Sequence, residues 1–101
     1  MSGVTETERE RYRGLMKAGR AEYTAGYDLE ANAMTWSNPN PAHTLHTAAV
    51  RYAKSAELYA EASVYFTKNS VSTKEATRLA RQSRIAATRV CDRIDKGFKN
   101  T

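Results

Sequence analysis

From Tyr12 onward, apolar or small residues recur at Tyr12, Met16, Gly19, Tyr23, Gly26 and Ala33. Steps of four and three return side chains to one side of a helix, so the pattern predicts a first helix over residues 8–35. Thr5 stands three residues before Glu8, and Thr7 three before Glu10. Either pair can form a capping box, in which the threonine oxygen takes an orphan N–H and the glutamate reaches back. Glu6, Glu8 and Glu10 also suit the positive end of the helix dipole. Gly14, Gly19 and Gly26 each cost a helix about 1 kcal/mol relative to alanine. Two of them lie on the apolar side, where close approach of a neighbouring helix would compensate. A break at Gly26 is the competing reading.

Ser37-Asn38-Pro39-Asn40-Pro41 forbids helix, because each proline drives the residue before it out of the α region. Asn40 followed by Pro41 is also a helix start, which predicts a second helix over 41–68. Leu45, Ala49, Tyr52, Ala56, Tyr59, Ser63 and Phe66 form its stripe. Ala48, Ala53, Ala60, Ala62, Val64 and Tyr65 widen it. A helix apolar on that much of its surface needs more than one neighbour and belongs in the middle. The polar stretch Asn69 to Thr73 is a connector of the length that joins antiparallel helices. Ser72 and Glu75 can form a capping box opening a third helix over 73–96. Its inner face reads Ala76, Leu79, Ala80, Ser83, Ala86, Ala87, Val90 and Ile94, and Gly97 is a natural stop. Phe98 is placed to fold back on the bundle. The expected fold is all-α, an antiparallel three-helix bundle spanning residues 8–98, with a flexible arm at 1–7 and a flexible tail at 99–101.

Composition sharpens this picture. A chain of 101 residues is the size of one domain. Leu, Ile, Val and Phe together supply only 14 residues, so 16 alanines and six tyrosines must fill much of the core. Such a core is thin, and self-association into a homo-oligomer would bury more surface. A single cysteine, Cys91, excludes an internal disulfide; beside the core face, it reads as a small buried hydrophobe. No apolar run reaches membrane-spanning length and no leader-like segment opens the chain. The expectation is a soluble cytoplasmic protein with no membrane partner.

Charge changes the picture more. Residues 1–71 are neutral overall, and the whole formal charge of +5 falls within residues 72–101. Arg78, Arg81, Arg84, Arg89 and Arg93, with Ile85 among them, mostly project opposite the inner face of the third helix. Such a row can simply keep the chain in solution, or it can meet an acidic partner. Five arginines favour bidentate contacts to carboxylate or phosphate. No helix-turn-helix spacing, zinc-finger ligand set or aromatic RNA-binding motif accompanies them, which favours a protein over a nucleic acid.

Catalytic chemistry finds little support. His43 and His46 share a helix face, but no third metal ligand stands nearby, and cap or surface roles suit them better. Glu57 with Glu61, and Glu8 with Glu10, read as solvated faces. The three glycines of the first helix lack the strand–loop–helix setting of a phosphate loop. Tyr52, Tyr59 and Tyr65, opposite Tyr23 and Tyr27, are core fillers on one reading and an aromatic groove for a peptide helix on the other. We expect no enzyme activity, no cofactor and no metal.

The run Ala56-Glu57-Leu58-Tyr59-Ala60-Glu61-Ala62-Ser63-Val64-Tyr65-Phe66, followed by Lys74-Glu75-Ala76, resembles helical-hairpin adaptor modules. Its cadence is similar to that of the microtubule-interacting-and-transport domain, and Gly19, Gly26 and Ala31 keep the relative spacing of small residues in a tetratricopeptide repeat. The resemblance covers about half the chain and lacks the repeat's large aromatic and leucine positions. It implies a three-helix bundle that presents a groove to other proteins, and it carries over no binding residue. Three functions therefore stand open: a protein-interaction module, a small basic nucleic-acid-binding regulator using the third helix, and a virus- or mobile-element-encoded effector docking on a host protein.

Overall fold

A computed structural model describes residues 5–66 and 70–97 of the chain. Three helices follow in order: α1 (Glu6–Ala33), α2 (Pro41–Ala62) and α3 (Val71–Gly97). They run antiparallel in sequence order. α2 packs against both neighbours while α1 and α3 touch each other little, so the central place expected for the second helix holds. The Cα trace measures 60 × 19 × 14 Å, a rod one bundle wide.

The helix ends show which local signals won. Thr5 caps α1 through the full box: its hydroxyl accepts from the Glu8 N–H at 3.1 Å, and Glu8 accepts the Thr5 N–H at 2.9 Å. The pairing of Thr7 with Glu10 is not used, since Thr7 already lies inside the helix. Met34 ends α1, and the Thr35 hydroxyl turns back to the Asn32 carbonyl at 2.7 Å. Asn40 caps α2 and Pro41 takes its first position, as the sequence predicts. α2 is shorter than the expected 41–68. Past Ala62 the backbone tightens into three-residue hydrogen bonds, Val64 to Glu61 and Tyr65 to Ala62. The Ser63 hydroxyl bonds the Ala60 carbonyl at 2.6 Å, and Phe66 is held edge-on to Tyr12 with ring centroids 4.8 Å apart. α3 begins earlier than expected, because Ser70 rather than Ser72 caps it, the Ser70 hydroxyl accepting the Thr73 N–H at 3.1 Å. The expected Ser72–Glu75 box does not form, and Glu75 instead binds Arg78. The proposed roles of residues 1–4, 67–69 and 98–101, including the fold-back of Phe98, lie outside the described residues.

The core is made of small residues set around two buried tyrosines. Leu45, Ala48, Tyr52, Ser55, Ala62, Ala76, Ser83 and Val90 are fully buried, and Tyr59 nearly so. α1 runs unbroken through Gly26. Both inner glycines are explained by rings: a Cβ on Gly19 would stand 2.9 Å from the Tyr59 ring. One on Gly26 would stand 3.0 Å from the Tyr52 ring and 3.2 Å from the Ala48 carbonyl oxygen. The glycines let α1 and α2 close around aromatic side chains that would otherwise hold them apart. On the α2–α3 side the spacers are alanine and serine. Ser55 donates to the Gly19 carbonyl at 2.7 Å and lies 3.1 Å from the Ser83 hydroxyl, which in turn donates to the Leu79 carbonyl. All three helices thus meet at one satisfied polar point inside the core.

Candidate interaction surface

The arginine row of α3 divides in two. Arg89 and Arg93 belong to a cleft between α1 and α3, walled by Tyr27, Ala31 and Met34 on the α1 side. Their common partner is Glu30, whose side chain is only 13% exposed. Its carboxylate accepts from Arg89 at 2.6 Å and from the Tyr52 hydroxyl at 2.8 Å, and Arg93 stands 3.8 Å away. Glu30 pushes the Arg89 guanidinium further toward its charged form, chiefly through the hydrogen bond. The Tyr52 phenol is pushed well above its ordinary value, first by burial and then by Glu30. This cluster fastens α1 to α3 across the top of α2. The sequence reading missed it, although a signal was present. Glu30 continues the four-and-three steps through Gly19, Tyr23 and Gly26 to Ala33, so a carboxylate sits at an inner position of an otherwise apolar stripe.

The other half of the row faces outward. Arg78 is bidentate to Glu75 one turn earlier on the same helix. Among the described residues, Arg81, Arg84 and Lys74 form no ion pair. Ile85 lies between the arginines with 60% of its surface exposed, a large aliphatic side chain left in water beside free cations. Thr77, Arg81, Arg84 and Thr88 follow one another at steps of four, three and four, making a straight stripe down the helix. Where the short threonines interrupt the long arginines the stripe is hollowed. One hollow is bounded by Thr73, Lys74, Thr77, Arg78 and Arg81. The next is bounded by Arg81, Arg84, Ile85, Thr88, Arg89 and Asp92. Arg81 stands between them.

The five tyrosines do not gather in one groove. Tyr52 is wholly buried and Tyr59 is 4% exposed, with burial raising the Tyr59 phenol above its ordinary value. They are core residues because the inner glycines open space for their rings. Tyr23 stacks edge-on against Tyr52 at 5.0 Å and, with Tyr59 and Leu79, lines a shallow cleft between α1 and α3. Tyr27 lies at the far end of that side, in the Glu30 cleft. Tyr65 is elsewhere, its hydroxyl accepting from Arg11 at 2.8 Å. Cys91 is exposed rather than buried. It follows Val90, and one step along a helix turns a side chain by about 100°, which carries it off the inner face. Leu79 and Ile94, expected on that face, are only partly buried. His43 and His46 sit in the first turns of α2, His43 supplying the N–H that Asn40 caps.

Among the described residues, no three His, Cys, Asp or Glu side chains gather at one point, and no helix is long and apolar enough to cross a membrane. No protein-family model, curated protein or solved structure matches the chain.

Proposed function

We propose that the chain is a non-enzymatic protein-interaction module whose docking surface is the outward face of α3. The adaptor-like cadence of the α2–α3 hairpin agrees with that reading. The observation that carries it is the placement of Arg81 and Arg84, without ion pairs among the described residues, beside an exposed Ile85. Guanidinium groups left free can take carboxylates bidentately, and an apolar residue among them adds contact area that a purely solubilising face does not need. Arg89 and Arg93 are already shared with Glu30 and serve the fold first. The partner surface is therefore acidic with an apolar centre.

The test is capture from extract of the source cells, with and without nuclease treatment, using the wild-type chain and an Arg81→Glu/Arg84→Glu variant in parallel. The reading expects an acidic protein retained by the wild type and released by the variant. Recovery that disappears with nuclease treatment assigns the face to nucleic acid, whose phosphate contacts would also make binding fall steeply with salt. Equal recovery by both chains removes α3 from the function.

A further inference from the structure

The two hollows on α3 carry more information than charge alone, because their spacing matches a helix. Thr77 lines the first and Thr88 the second, and the two stand eleven residues apart on one stripe. At 1.5 Å per residue this is about 16 Å along the axis. Eleven residues are also within about 20° of three whole turns, so two side chains at i and i+11 of a second helix share a face and the same separation. An extended strand would place residues on one face at steps of about 7 Å and would find no sheet edge to pair with here, since all the described elements are helical.

Resting on the docking reading above, we infer that α3 receives an acidic amphipathic helix of a partner protein, laid along the Thr77–Thr88 stripe with two apolar side chains eleven positions apart. The first side chain enters between Lys74, Thr77 and Arg78, against the threonine methyl and the aliphatic stems of the basic residues. The second enters beside Thr88 and meets Ile85. Arg81, on the ridge between them, and Arg84 pair with carboxylates on the turns separating the two apolar residues. Charge complementarity selects this occupant: the stripe offers Lys74, Arg81 and Arg84 without ion pairs among the described residues, Asp92 is the one carboxylate among the residues that line its hollows, and Glu75 beside them is taken up by Arg78. Ile85 acts as a knob in return, filling the space between successive turns of the incoming helix.

The probe is a fluorescently labelled, Glu- and Ala-rich helical peptide with leucines at i and i+11, titrated with the full chain and followed by anisotropy. Two controls keep its charge, one of the same composition with the leucines at i and i+9 on opposite faces and one with alanines replaced by prolines that abolish helix. The inference expects the i+11 peptide to bind about tenfold tighter than either control, a difference of about 1.4 kcal/mol. A Thr77→Gln/Thr88→Gln chain fills both hollows without altering charge. It should bind all three peptides alike, with circular dichroism matching the wild type. Equal binding of the three peptides by the wild type overturns the helical partner while leaving a charge-driven docking face standing. Absence of binding by any of them overturns both. Preference unchanged in the double glutamine chain overturns the hollows as the recognition element. Tighter binding of a second copy of the chain, or of a DNA duplex, at the same face overturns the assignment to an acidic partner helix.

Discussion

The seam between α1 and α2 and the outward face of α3 use opposite means. In the seam, glycine is placed opposite tyrosine, so two rings pack where two helix backbones nearly meet, and the polar groups inside are satisfied. On the outward face the guanidinium groups of Arg81 and Arg84 form no ion pair among the described residues, and an isoleucine is left uncovered. The first region has no room for change and holds the bundle together. The second contributes little to folding, which leaves its residues available for another molecule. Small cores make this separation sharp: with few large aliphatic residues, each buried ring carries a large part of the stability.

The largest effect should come from the seam itself. Tyr52→Ala empties a fully buried aromatic site and removes a donor from Glu30, and a loss of about 3–5 kcal/mol is expected in chemical denaturation. Gly26→Val comes next. Its branches enter space held by the Tyr52 ring and the Ala48 carbonyl, for an expected loss of about 1–3 kcal/mol. Raising the pH should weaken the same seam. Buried Tyr52 and Tyr59 keep their protons above the ordinary tyrosine value of 10.0, whereas the unfolded chain releases them there. The folded state then binds more protons than the unfolded one, so stability present below pH 10 falls as pH rises beyond it. Tyr52→Phe should flatten that fall in denaturation curves recorded across the range. Gly14→Ala should act in the other direction, because a Cβ there meets nothing within 4 Å. A gain of up to about 1 kcal/mol is expected, read as a higher Tm. Smallest of all, Arg81→Ala and Arg84→Ala should each move stability by less than about 0.5 kcal/mol. A large loss at either arginine would merge the two regions and break the comparison.

Much of the bundle was legible from periodicity and caps. The four-and-three stripes, the Asn40-Pro41 start and the Thr5–Glu8 box each depend on neighbours within one turn, so the chain alone reveals them. The shortened end of α2 and the Ser70 cap were not legible, since Phe66 is drawn to Tyr12 and the Tyr12 hydroxyl to the Ser72 carbonyl across the bundle. The arginine row was visible as a row, but its division was not. Whether a guanidinium is free depends on Glu30, which lies 59 residues from Arg89 along the chain. The tyrosines stayed open between two readings for a related reason: an amphipathic side chain can be lining or filler until the residue opposite is known, and for Tyr52 and Tyr59 that residue is glycine and the filler reading holds.

The most direct test of this division of labour is a map of backbone amide shifts as the two-leucine acidic helix is added to the folded chain. The account predicts progressive shifts along α3 at Thr77, Arg81, Arg84, Ile85 and Thr88, with Gly19, Gly26, Tyr52 and Ser55 unmoved. Shifts concentrated at the α1–α2 seam, or none along that stripe at saturating peptide, would contradict it.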